Sequence, residues 1–285
     1  NDLAEKYTTV SSAVVSTDRI FELLDDESQL EDTVTGKPLE TVEGRVEFQH
    51  VWFAYEGENW VLKDVSFTIE PGQSVAFVGT TGAGKSTIIS LISRFYDIQK
   101  GRILLDGQDI AQFSLEQLRR RVAVVLQDVF LFSGSIAENV RLGNQEITDE
   151  QVAQALHLAC PDRFIAELPG GIDYPVTERG STFSAGQRQL LSFARAIAHN
   201  PAVFVLDEAT ASIDTDTEQL IQQSVRNVSS GRTTIIIAHR LSTIRDCDCI
   251  YVLRGGRIRE QGTHEELMAL GGIYQKLHDM QIKDA

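Results

Sequence analysis

The most restrictive feature of this chain is the run GTTGAGKST at 79–87. It continues directly from the short apolar segment SVAFVG and leads into TIISLISRFY, whose apolar residues recur at helical spacing. A buried strand, a glycine-rich loop and a helix in that order confine the chain to an α/β fold with a ligand at the carboxyl end of the strand. The glycines let backbone N–H groups wrap phosphate oxygens, and the N-terminus of the following helix adds partial positive charge. Gly79, Thr80, Thr81, Gly82, Ala83 and Gly84 form the expected cradle. Lys85 brings a full charge to the β- and γ-phosphates, Ser86 a Mg²⁺ ligand, and Thr87 a further hydroxyl.

The remaining pattern agrees with that start. RVEFQHVWFAY and VLKDVSFTIE read as strands, and RRRVAVVLQ, AVFVLDE, TTIIIAH and CIYVLRGGRI are further Val/Ile-rich runs. Helical stretches such as GQRQLLSFARAIAH and TDTEQLIQQSVRNV separate them. Apolar strands alternating with helices predict a largely parallel sheet covered on both faces. The interval from about 128 to 195 is rich in helical pattern between two strands, so a helical subdomain inserted into the α/β core is expected there. Residues 1–25 place apolar side chains three or four apart, as in an amphipathic helix. The acidic, aperiodic stretch 26–44 reads as a linker, which puts a domain boundary near residue 44 and a second domain over 45–285.

Composition removes several classes of function. A formal charge of -15 argues against a nucleic-acid partner, which would demand a basic face. Three cysteines imply no disulfide framework and suit a reducing compartment. Cys247 and Cys249 lack two further ligands at zinc spacing. No apolar run reaches the roughly 18 residues a membrane span needs. The chain starts at Asn1 without Met, as a piece of a longer protein would.

Further candidates come from strand ends. In a doubly wound sheet, ligands sit beyond the carboxyl ends of the strands, so Asp207 and Glu208, closing VFVLDE, would face the phosphate loop. Asp207 then suits Mg²⁺, leaving Glu208 to polarise an attacking water. His239, after TTIIIA, is placed for a γ-phosphate contact, and Gln127, after VAVVL, to reach Mg²⁺ or the lytic water. Tyr55 either stacks on a base or packs on the fold. A second helix opens at FSAGQ, 183–187, in the manner of another anion-binding turn, though the chain already has one nucleotide loop.

Taken together, these residues resemble the ATP-binding domain of ABC transporters. GTTGAGKST resembles Walker A, VFVLDE Walker B with its catalytic Glu208, Gln127 the Q-loop, FSAGQ the signature, and SID at 212–214 the D-loop. His239 resembles the switch histidine and Tyr55 the adenine-stacking A-loop. VTERGS, 176–181, and STDRIFELLD, 16–25, are similar to the x-loop and the membrane-helix junction of the exporter branch. The resemblance implies a P-loop NTPase core with a mostly parallel sheet, an antiparallel β subdomain and an inserted helical subdomain. It also implies ATP and Mg²⁺ as ligands, held by Ser86, Gln127 and Asp207. The implied partners are transmembrane domains of the same transporter and a second ATPase domain, placed head to tail. Ser184, Gly186 and Gln187 would then serve the partner's ATP, which accounts for the second turn. Hydrolysis at the cytoplasmic face of the cell membrane, driving export, is the implied function. The alternatives are a soluble ABC-type ATPase, an importer subunit and a non-hydrolysing ATP-binding regulator. Two departures matter: the D-loop has Thr215 after Ile213 and Asp214, a mild change, and the signature has Phe183 for Leu, a tolerable swap, and Ala185 for its central Gly. If that position is left-handed or pressed on phosphate, its Cβ costs about 1–2 kcal/mol. That would weaken the site this chain completes and suit a heterodimer in which this chain is the catalytically intact half; the alternative is a homodimer whose signature tolerates Ala.

Overall fold

A computed structural model describes residues 2–25, 42–126, 128–160, 164–208, 215–229, 231–238 and 244–284. Strand segments with apolar residues at every position have two faces to bury, and here each face meets a different core. In Ser74–Gly79, Val75 and Phe77 enter one hydrophobic cluster while Ala76 and Val78 enter the other. Val203 and Val205 against Phe204 and Leu206, and Tyr251 and Leu253 against Ile250 and Val252, divide in the same way. This is the period-2 geometry of a sheet covered on both sides.

After helix α1 (Asp2–Leu24) the elements are β1 (Val46–Ala54), β2 (Trp60–Ile69), β3 (Ser74–Gly79), α2 (Lys85–Ile92), β4 (Lys100–Leu105), β5 (Gln108–Asp109), α3 (Leu115–Arg121) and β6 (Val122–Val125). Next come β7 (Gly134–Ser135), α4 (Ile136–Arg141), α5 (Asp149–Ala159), α6 (Phe164–Glu167), β8 (Pro175–Val176) and α7 (Ala185–Ala198). The chain continues through β9 (Val203–Glu208), α8 (Thr215–Ser229), β10 (Thr233–Ala238), β11 (Cys249–Arg254), β12 (Arg257–Gly262), α9 (His264–Leu270) and α10 (Ile273–Asp284).

The central sheet has strand order β12-β11-β3-β10-β9-β6, and all its pairings are parallel except β11 with β12. Parallel strands bring the carboxyl ends of β3, β6, β9 and β10 to one edge. A separate antiparallel sheet, β2-β1-β4-β5, covers one face, packing Phe48, Phe67 and Ile103 into the core shared with Phe77. Helices α4 to α7 lie between β6 and β9 in sequence, and α7 buries Leu190, Leu191, Phe193 and Ala194 against the other face. The run RRRVAVVLQ is not one strand: Arg119–Arg121 finish α3, and β6 begins at Val122. The Ser114 side chain caps α3, and three cations in its last turn suit the negative end of the helix dipole.

Residues 2–24 form one helix, as their period predicted, and α1 belongs to a compact unit of its own. Tyr7, Val10, Val14, Phe21 and Leu24 are exposed along it, and Thr8, Thr9, Ser16 and Thr17 return their hydroxyls to carbonyls four residues earlier. Among the described residues, no helix is long and apolar enough to cross a membrane. Most of the linker expected at 26–44 lies outside the described residues.

Candidate phosphate-binding site

The phosphate loop is built from two backbone constraints. Strand β3 ends at Gly79, where a Cβ would overlap the Leu253 carbonyl oxygen of the neighbouring strand. The loop then turns into α2 through Gly84, a left-handed N-cap at φ 104° whose Cβ position lies 2.6 Å from Leu62 Cδ2. Only glycine satisfies both. Gly84 has no side chain with which to cap α2, and the helix's first turn carries no acid. Helices α3, α4, α5, α7 and α9, by contrast, each have a Ser or Thr hydroxyl accepting from a first-turn N–H. The donors at the start of α2 are thus left for an external anion.

Lys85 supplies the cation. It is 7% exposed, and its Nζ donates to the carbonyls of Gly79 at 2.8 Å and Thr80 at 3.1 Å, so it lies folded over the loop. Burial pushes its pKa below the ordinary lysine value, and the negative charge of Asp207 pulls the other way. A half-compensated buried ammonium beside an uncapped helix end fits a polyphosphate. Ser86 stands exposed in the first turn of α2, whereas Thr87 is buried with its Oγ1 3.1 Å from the Tyr55 hydroxyl. Tyr55 is 50% exposed, held edge-on by Phe53 at 4.9 Å and Tyr96 at 5.1 Å, with a ring free to take a flat ligand.

Asp207 and Glu208 end β9 at the edge where the loop begins. In register, Asp207 lies opposite Ile237 and Glu208 opposite Ala238 on β10, while Leu206 lies opposite Val125 on β6. The Ser86 hydroxyl and Asp207 carboxylate are hard oxygen donors suited to Mg²⁺, which commonly takes one or two carboxylates and completes its shell with substrate phosphate and water. Gln127, His239 and residues 212–214 lie outside the described residues. The strands that deliver Gln127 and His239 end two residues and one residue before them, at Val125 and Ala238.

The second turn is a different device. Ser184 Oγ accepts from Gln187 N at 3.1 Å, while Gln187 Oε1 accepts from Ser184 N at 3.0 Å, a reciprocal capping box. Among the described residues the hydroxyl serves as an acceptor, and its O–H can donate to an anion. Gly186 is buried in the first turn, which again has no acid. Ala185 is the first residue of α7 and is absent from the left-handed residues of the chain. The strain considered for its Cβ on conformational grounds therefore does not arise. Phe183 packs between Phe164 and Tyr174 in the helical core, and its carbonyl accepts from Arg188 Nη1 at 2.6 Å. Just upstream, Glu178–Gly180 forms a 3₁₀ turn with Arg179 left-handed at φ 59°.

A sequence profile of the ABC transporter family matches residues 62–211, more than half of the chain. The chain belongs to the ABC transporter family. It is 50% identical over 280 residues to the putative ABC transporter ATP-binding protein exp8 of Streptococcus pneumoniae, covering 98% of this chain and 48% of that protein. It is 46% identical over 277 residues to a fatty acid ABC transporter ATP-binding/permease protein of Mycobacterium tuberculosis, covering 97% of this chain and 44% of that protein. The structure of a bacterial Atm1-family ABC exporter with ATP bound matches with a TM-score of 0.83 and 41% identity, over 96% of this chain and 48% of that one. The chain thus spans about half the length of these relatives.

Two features of this ABC domain escaped the sequence reading. Tyr96 joins Tyr55 and Phe53 in one aromatic cluster, for which the only available signal was its place soon after α2. Asn139 and Arg195 bind the irregular segment around Phe130 and Phe132, and neither belongs to a motif considered above.

Proposed function

We propose that this chain binds Mg-ATP on its phosphate loop, closes on a second ATP-binding domain head to tail, and hydrolyses the nucleotide to drive export by attached membrane domains. The observation that carries this reading is that two acid-free helix starts follow glycine-containing turns on one chain: one is uncapped beside a buried lysine, and the other is self-capped through a serine hydroxyl that accepts from Gln187 N. A single nucleotide site needs only the first. The second gains a purpose when it covers the nucleotide of a neighbour.

On binding, Lys85 exchanges the Gly79 and Thr80 carbonyls for β- and γ-phosphate oxygens, and the start of α2 donates to the same anion. Tyr55 stacks on the base. Ser86 and Asp207, with Gln127, would hold Mg²⁺, which would supply charge neutralisation at the phosphates. Glu208 accepts a proton from a water whose oxygen bonds to the γ-phosphorus as the bond to the bridging oxygen breaks, releasing ADP and phosphate. His239 contacts the γ-phosphate, and Ser184, Gly186 and Gln187 of each domain present the signature turn to the other's nucleotide. Exposed Leu126, Phe130, Phe132 and Leu142 support a docking surface for a membrane domain. A domain that takes its ATP from the cytosol would work at the cytoplasmic face of the membrane.

Pairing is testable directly. The Glu208→Gln chain should sediment mainly as a monomer without nucleotide and as a dimer with Mg-ATP, because each half-site leaves ATP partly uncovered. A dimer equally stable without ATP would contradict the reading. The helical conformation of Ala185 removes the backbone-strain ground for a weakened signature, which favours a pair made of two copies of this chain. Ala185→Gly should therefore change ATPase activity less than about threefold and cost about 0.5–1 kcal/mol of stability, as glycine does within a helix. A large gain in turnover in steady-state assays would restore the impaired-signature idea and, with it, the case for a heterodimer.

A further inference from the structure

We infer that Asn139 and Arg195 are positioning residues that make the loop carrying Phe130 and Phe132 one body with α7, the helix opening at the signature turn. The inference rests on the functional reading above. Residues 128–133 have no helix or strand to hold them, yet they present two phenyl rings to solvent, 45% and 53% exposed and edge-to-face at 5.0 Å. An irregular segment of that kind keeps one conformation only if its backbone is tied elsewhere. Asn139, 3% exposed on α4, supplies the first tie. Its Oδ1 accepts from Phe132 N at 2.8 Å and from Arg195 Nη2 at 3.3 Å. Its Nδ2 donates to the carbonyls of Phe132 at 2.8 Å and Ser135 at 3.0 Å, so every hydrogen-bonding position of the amide is occupied.

Arg195 supplies the second tie, from α7 itself. Its Nε donates to Asn139 O at 2.9 Å and its Nη1 to Phe130 O at 3.2 Å. One planar guanidinium thus spans the loop and the residue that clamps the loop, bridging 65 and 56 positions of sequence. Lysine carries its three donors on one nitrogen and has no such fork, so it cannot reproduce bonds made from Nε, Nη1 and Nη2 separately. Arg195 and the signature serine Ser184, the N-cap of α7, lie on a single rigid helix. A displacement of α7 when the turn engages a neighbour's nucleotide is therefore carried to Phe130 and Phe132.

The test is hydrogen exchange on the 285-residue chain carrying Glu208→Gln, with and without Mg-ATP, followed in the peptide covering 128–135, with sedimentation run in parallel. In this parent, Mg-ATP pairing is expected to raise amide protection of that peptide by about tenfold or more. Adding Arg195→Lys should leave pairing intact and reduce the gain to less than about threefold. Asn139→Asp, which keeps size and acceptor but removes the Nδ2 donors, should act alike and serves if the lysine variant does not fold. A merely structural role would lower thermal stability without altering the ATP-dependent gain. An undiminished gain in a folded variant, or no gain in a parent that pairs, overturns the inference. A parent that does not pair with Mg-ATP overturns the functional reading on which it stands.

Discussion

Glu208→Gln should keep Mg-ATP binding and lower steady-state turnover by roughly 10²–10⁴-fold, the share a positioned general base usually carries. Glutamine keeps the size of the side chain and removes its ability to accept the proton of the lytic water. The substitution leaves the residues of the cradle, Gly84, Lys85 and the start of α2, in place, with Lys85 Nζ donating to the Gly79 and Thr80 carbonyls. Placement at the end of β9, opposite Ala238 and one residue after Asp207, puts residue 208 on the sheet edge where the phosphate loop begins. Steady-state ATPase measurements beside nucleotide titration separate the two effects. Turnover near that of the parent would remove Glu208 from the base role.

Lys85→Ala should act on the other side of that division, weakening Mg-ATP binding by about 10²-fold or more. Hydrogen bonds involving a charged partner contribute about 1.5–3 kcal/mol each, and the ammonium has donors for two phosphate oxygens. The substitution should cost the nucleotide-free chain little. Lys85 is a buried cation held below its ordinary pKa by desolvation, so removing it also removes a burial penalty. Thermal unfolding distinguishes the outcomes. The parent gains about 2.7 kcal/mol at a ligand concentration 100 times Kd, and the variant should gain almost none at that concentration. An undiminished Mg-ATP shift would show that Lys85 does not hold the phosphates.

How far the sequence reached depended on how local each interaction is. The phosphate loop was legible because strand β3, the left-handed glycines, Lys85 and the start of α2 follow one another along the chain. The signature turn was legible for the same reason: its capping box joins residues three apart. The strand boundary at Val122 was misread because Arg119–Arg121 carry no periodicity of their own, and their helical state follows from the Ser114 cap and packing. Arg119 donates to the carbonyls of Ser93 and Arg94, more than twenty positions away. Ala185 looked costly in a motif comparison, and its helical backbone made it ordinary.

The sequence by itself determined a phosphate cradle, a sheet buried on two faces and a second helix start suited to an anion, since each follows from residue spacing within a dozen positions. Tertiary structure alone decided that Tyr55 meets Thr87, that Asp207 acts on Lys85, and that Arg195 reaches Phe130. Those pairs are joined by chain closure over long separations. Side-chain period records which face of an element is buried; which residues meet there depends on strand order and helix packing, which a local pattern does not encode.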